Sequence, residues 1–176
     1  MIVITDYDGT WPRLFRDLAS PVARAVSDLG AEVEHVGSTA VPGLAAKPII
    51  DMDVVVPSAE VIPRAIERLR RLGYIHQGDL GISGREAFQS PPGAPPHHLY
   101  VTVAGSKQHR DHLLFRDQLR GDPDLASRYA SLKRRLAAEY IEDRGGYSEA
   151  KSAFISSALA AADRDLKKRA RGVRDG

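Results

Sequence analysis

The sequence predicts an α/β (α+β) fold: a half that mixes strands and helices, followed by a helical half packed on it. Three observations lead there. Short apolar, β-prone runs alternate with helically spaced segments up to residue 103, and from residue 106 onward only helical spacing remains. Residues 49–56 are apolar apart from Asp51 and Asp53, the pattern of a buried central strand. Between the strand ending at Val36 and that central strand lies a small-residue turn, Gly37-Ser38-Thr39-Ala40.

Residues 2–4 are apolar and β-prone. Thr10 is placed to cap a helix with Pro12 in its first turn, and Leu14, Phe15 and Leu18 give that helix an apolar face. Ser20-Pro21 interrupts it, as a kink or as a fresh start with Ser20 as cap. Val22, Ala25, Val26 and Leu29 continue the spacing until Gly30 ends it. Residues 31–36 alternate small or apolar with charged, a half-buried strand. Ser58 opens a helix carrying Val61, Ile62, Ile66, Leu69 and Leu72, closed by Gly73. Residues 74–77 form a short strand, and residues 98–103 another. Between them, residues 78–96 are rich in Gly, Pro and Ser and read as a long loop or loose hairpin, a candidate lid. A helix then runs from residue 106 to Arg120, closed by Gly121. Asp122-Pro123 caps the next, with Leu125, Tyr129, Leu132 and Leu136 at helical spacing. A break at residues 143–146 precedes a last helix from Ser148 to about Ala162.

The chain has 176 residues, 43% of them hydrophobic, which suits one globular core. The expected domain is residues 1–165, with a basic, disordered tail at residues 166–176 carrying Lys167, Lys168, Arg169, Arg171 and Arg174. The chain has no cysteine, which excludes disulfides and thiolate metal sites. It shows no basic-then-apolar leader and no apolar stretch near the ~20 residues that span a bilayer. The expectation is a cytoplasmic protein with no membrane partner. Net charge is only +2, and Trp11 with four Phe gives little for base stacking, so nucleic acid is not an expected partner. The oligomeric state is not legible.

Function is written most densely between residues 35 and 53. Asp51 and Asp53 flank one residue, so on a strand they point to the same face. Two adjacent acids are costly unless a cation neutralises them, and paired oxygen ligands completed by phosphate are a common Mg²⁺ arrangement. Gly37 and Ser38 open a turn whose free N–H groups suit a phosphate. Phosphate cradle followed by metal carboxylates suggests chemistry on a nucleoside triphosphate. A rival site is Asp6-Tyr7-Asp8-Gly9-Thr10 after the apolar start, which resembles the nucleophile loop of haloacid-dehalogenase-type phosphatases. Such an enzyme also needs an acidic pair after another strand; Gly121-Asp122-Pro123-Asp124 offers acids, but no apolar strand precedes it, and a helix starting at Pro12 leaves no room for the cap insertion.

The order Gly-Ser, spacer, Asp-x-Asp resembles the nucleotidyltransferase superfamily with the polymerase-β-type palm. The stretch Val36-Gly37-Ser38-Thr39-Ala40-Val41-Pro42-Gly43-Leu44, with Ala46-Lys47-Pro48-Ile49-Ile50-Asp51, resembles the GrpB family more closely. So do Tyr7-Asp8, Trp11-Pro12, His97-His98-Leu99-Tyr100-Val101, His112-Leu113-Leu114-Phe115-Arg116-Asp117, Tyr129, Leu132-Lys133, and the segment from Tyr147 through Lys151 to Phe154-Ile155. The resemblance implies a nucleotidyltransferase-like mixed sheet with N-terminal helices. GrpB-like domains occur alone and fused to dephospho-CoA kinase, and the family's substrate is generally unassigned.

On that resemblance, Asp51 and Asp53 hold Mg²⁺ on the β- and γ-phosphates, while Ser38 and the Gly37 backbone touch phosphate oxygens. Lys47 pairs with Asp51 or reaches a phosphate. Superfamily enzymes take a third carboxylate, the general base, from a neighbouring strand. The strand at residues 98–103 contains none and is headed by His97 and His98 instead. Adjacent residues face opposite ways, so one of the two histidines enters the cleft as base or anion ligand. Glu86 is a weaker candidate for the missing acid. His112 and Arg116 lie four apart on one helix face. Together with Lys133, Lys151 and a closing Arg85 they form a cationic wall for triphosphate or an anionic acceptor. The expected activity is Mg²⁺-dependent transfer of a nucleotidyl group from an NTP to a small polar acceptor. The alternative is a non-catalytic nucleotide- or anionic-metabolite-binding domain.

Overall fold

The computed structural model describes residues 1–172. Five strands form one mixed sheet: β1 (Glu32–Val36), β2 (Ile50–Val56), β3 (Ile75–His76), β4 (Arg85–Gln89) and β5 (His97–Val103), in the order β1-β2-β5-β4-β3. Only the β2–β5 pair is parallel. Five α-helices accompany it: α1 (Trp11–Val26), α2 (Ile62–Arg71), α3 (Lys107–Gly121), α4 (Pro123–Glu139) and α5 (Arg144–Gly172).

The two faces of β2 differ sharply, because its side chains alternate. Ile50, Met52, Val54 and Val56 are wholly buried and join Leu99 and Val101 of β5 against α1 and α2, through Trp11, Val22, Val26, Ala65 and Leu69. That is the main core, worth roughly 1.5–3 kcal/mol per large apolar side chain removed from water. Asp51 and Asp53 point to the other face. There α3 lies over the sheet, and a second core of Val41, Leu44, Leu119, Leu125 and Tyr129 joins the turn after β1 to the helical half.

Several elements differ from the sequence reading. Pro21 lies inside α1, which continues without a restart. Residues 2–4 join no strand; Ile2 N bonds Ile141 O, and Thr5 bridges Ala46 outside the sheet. The Gly- and Pro-rich stretch at 78–96 contains β4, making the hairpin alternative the correct one. The last helix begins at Arg144 and reaches Gly172, so part of the basic run expected to be loose is helical, while residues 173–176 lie outside the described residues. Among the described residues no helix is long and apolar enough to cross a membrane.

Candidate functional site

Asp51 and Asp53 stand on an interior strand of the sheet, with a partner strand on each side. Asp51 is level with Val36 of β1 and His98 of β5, and Asp53 with Glu34 and Tyr100. Residues level across a ladder share a face. His98 Nδ1 donates to Asp51 Oδ1 at 2.8 Å. From above, His112 Nδ1 on α3 donates to Asp53 Oδ2 at 2.6 Å, and its Nε2 accepts from Gln108 Nε2 at 2.6 Å. Burial alone would lower the His112 pKa, but the hydrogen bond to Asp53 and the charges of Asp53 and Asp51 outweigh it, and the net shift is upward. Asp53 is 0% exposed, yet its Oδ1 has no hydrogen-bond partner. A buried, unpartnered carboxylate oxygen is costly, and such an atom asks for a ligand.

The turn after β1 brings backbone against Asp51. Gly37 adopts φ +73, and a Cβ there would meet Asp51 Oδ2 at 2.3 Å, so only glycine permits this approach. The next residue, Ser38, accepts a hydrogen bond from Lys133 Nζ on α4 at 2.9 Å. Lys133 is 2% exposed. Its ammonium lies 4.6 Å from the centre of the Tyr129 ring. Lys151 on α5 and Lys47, which precedes β2, lie 4.4 and 4.0 Å from the centre of the Tyr147 ring. Desolvation pushes Lys133 down to about 7, with Lys151 adding repulsion and Asp51 opposing. Desolvation, then Lys47, pushes Lys151 down to about 8. Lys47 is lowered by burial and by Arg144, against the pull of Asp51. Three lysines, with Lys151 linking the other two by repulsion and Asp51 as their shared attraction, form a site short of negative charge.

Other expected residues take different places. His97 is buried on the core side, where its Nε2 accepts from Tyr74 OH at 2.8 Å and its Nδ1 donates to Pro95 O at 2.7 Å. His98 is therefore the histidine of the cleft, and His97 is structural because strand alternation turns it away. Glu86 is level with Val101, on the core-facing side of the ladder, and accepts from His76 Nε2 at 2.6 Å, so it cannot supply a third acid. Arg116 donates to Glu34 Oε2 at 3.1 Å, His35 O at 3.0 Å and Asp117 Oδ1 at 2.7 Å. Its donors fasten α3 to β1 rather than facing a phosphate. Arg85 stands at the start of β4, its guanidinium 4.5 Å from the centre of the Tyr100 ring. The rival turn is a helix start: Asp8 Oδ1 accepts from Thr10 N at 2.8 Å, and Asp6 pairs with exposed Arg134. No sheet strand precedes it, which removes the geometry of a phosphatase nucleophile.

Sequence reasoning missed the aromatic partners. The signal was present: Tyr129 and Lys133, and again Tyr147 and Lys151, stand four apart, which stacks each pair on one helix face. Tyr100 was visible only through its register with Asp53. A surface groove of about 750 Å³ between α3 and α5 is lined by Leu113, Leu159 and Leu166 and does not include the acidic pair.

Among the described residues no group of three or more His, Asp and Glu is arranged to hold a metal ion. The acidic pair still fits a hard divalent cation. Both residues are oxygen donors on one strand face, Asp53 Oδ1 is unsatisfied, and phosphate oxygens and water complete such two-carboxylate sites.

The family described as GrpB protein matches residues 1–161. The UPF0157 protein YqkA of Bacillus subtilis (strain 168) is 35% identical over 152 residues, covering 86% of this chain. The chain spans only 44% of that relative's length. The crystal structure of GrpB from Enterococcus faecalis superposes with a TM-score of 0.82 at 33% identity, covering 93% of this chain and 99% of that one. A Cid1 poly(U) polymerase variant bound to MgATP gives a TM-score of 0.52 at 13% identity, covering 84% of this chain and 50% of that one. At that identity the likeness establishes the nucleotidyltransferase fold alone.

Proposed function

We propose, on the premise that this chain belongs to the GrpB family, that its cleft binds a nucleoside triphosphate with a divalent cation and moves the nucleotidyl group to a small polar acceptor. The observation that carries this reading is that Lys47, Lys133 and Lys151 all lie within charge range of Asp51, with Lys133 bonded to Ser38 and the Gly37 backbone packed against the Asp51 carboxylate. The lysines neutralise a polyphosphate, and Ser38 Oγ and the turn orient it. Asp51 and Asp53 would hold Mg²⁺, which when bound neutralises charge on the departing pyrophosphate. His98 and His112 fix the rotamers of the two carboxylates, each through one oxygen.

A second reading has its own support. The strand that should provide a third carboxylate presents His98 and Tyr100 level with the pair, which favours a domain that binds a polyphosphate without reacting. The two readings part on metal dependence. Under the first, Asp51→Asn keeps the apo protein folded but abolishes Mg²⁺-dependent protection from melting by NTPs. Under the second, NTP protection persists in EDTA, survives Asp51→Asn and is lost in Lys133→Ala.

A further inference from the structure

The place of the missing third carboxylate is not blank. On a palm of this kind the acid that deprotonates the acceptor stands on the strand next to the Asp-x-Asp strand. Here β5 is that strand, and the residues level with Asp51 and Asp53 are His98 and Tyr100. One strand further out, Ala87 is level with Tyr100 and Arg85 with Thr102, so Arg85 rises from the same face. Its guanidinium caps the Tyr100 ring at 4.5 Å and donates a long 3.5 Å bond to Asp79 O. Among the described residues no carboxylate pairs with it. The other flank, β1, carries two acids: Glu34 is level with Asp53 but held by Arg116 at 3.1 Å, and Glu32 is level with Val55, exposed and beyond the acidic pair. The acceptor side of the cleft therefore carries a cation where a base is expected, and its nearest spare acid is neutralised.

We infer that Arg85, stacked on Tyr100 and flanked by His98, is the subsite for an anionic acceptor, a phosphate monoester or a carboxylate, whose nucleophilic oxygen needs no general base. This rests on the nucleotidyl-transfer reading and narrows its acceptor. The planar guanidinium matches either oxyanion with two parallel hydrogen bonds, and the aromatic ring beneath holds it flat. In the reaction the acceptor's anionic oxygen forms a bond to the α-phosphorus. The bond from that phosphorus to the bridging oxygen breaks, and pyrophosphate departs with the electron pair. The product is a phosphoanhydride or a mixed acyl-phosphate anhydride. No proton has to be removed, so a carboxylate base on β5 has nothing to do. A hydroxyl acceptor would require one.

The test uses the full chain with saturating magnesium and a non-hydrolysable α,β-methylene NTP in the triphosphate pocket. Three probes are titrated: methyl phosphate, acetate and ethylene glycol. NMR follows the His98 and Tyr100 ring signals, and parallel assays with NTPs record pyrophosphate release. At least one anionic probe should bind and speed pyrophosphate release, and ethylene glycol should do neither. Methyl phosphate alone identifies a phosphate monoester site, acetate alone a carboxylate site. Arg85→Gln should weaken the active anion at least ~10-fold, the scale of a charged hydrogen bond. That loss should exceed the one for the nucleotide analogue, and Arg85→Lys should restore part of it. Ethylene glycol acting as acceptor through a His98-dependent pH profile would overturn the inference, as would anion binding indifferent to Arg85. If no NTP binds with magnesium while the anion still binds through Arg85, the transfer reading fails and the subsite stands.

Discussion

Lys133 concentrates the argument at the residue scale. An ammonium that is 2% exposed and hydrogen-bonded to a neutral serine is a strained choice for stability. Lys133→Met, similar in length and apolar, should raise apo stability by about 1–2 kcal/mol in urea titration and abolish nucleotide binding. A destabilised variant with intact binding would mean that Lys133 is structural. Its protonation gives a second expectation. Burial pushes its pKa in the folded protein down to about 7, from the 10.5 of an ordinary lysine. Between those limits the unfolded chain holds more protons than the folded one. Stability of the ligand-free protein therefore rises with pH across that window. A polyphosphate reverses the effect, because it favours the charged lysines. Binding near pH 8 should take up protons, visible as a buffer-dependent enthalpy in calorimetry, and affinity should fall as pH rises further. Some of this was readable from sequence: the Asp-x-Asp pair, the Gly37-Ser38 turn and the lysines at 47 and 133 were all visible as residues of one region, and the structure sets the turn against Asp51 and Lys133 against Ser38. His97 and His98 could not be separated, because adjacent strand residues differ only in which face is buried. Arg116 looked available because sequence does not show Glu34 and the His35 carbonyl beside it.

At the scale of elements, three helices each contribute one part: to the strand, to the turn after β1, and to the Tyr147 ring. α3 brings His112 to Asp53, α4 brings Lys133 to Ser38, and α5 brings Lys151 to Tyr147. The start of α4 is fixed by Asp122, whose side chain accepts from Leu125 N at 2.9 Å. Asp122→Ala should cost about 1 kcal/mol of stability, measured by denaturant unfolding, with nucleotide affinity nearly unchanged. Strong periodicity made β2, α1, α3 and α4 legible. The β3–β4 hairpin was harder, since Gly, Pro and Ser between residues 78 and 96 hide a five-residue strand that is held by pairing with β5 rather than by propensity. The end of α5 was misjudged because its basic residues carry no apolar stripe, although straight-chain cations favour helix.

Across the whole molecule the sheet acts as a plate with one dry face and one charged face. The dry face is anchored on α1 and α2, while the other face holds two acids, two histidines and three lysines beside the smaller core that joins the turn after β1 to the helical half. The Asp-x-Asp strand is an interior one, paired on both sides and parallel to β5, which suits the precise placement that the proposed transfer needs. The central claim is that this charged face is a metal-dependent nucleotide site. The most direct measurement is calorimetric titration of each of the four NTPs into the wild type and Asp53→Asn, with magnesium and with EDTA. The account predicts binding of at least one NTP that requires magnesium in the wild type and is lost in a folded Asp53→Asn. Absence of magnesium-dependent binding for all four NTPs in the wild type would contradict it.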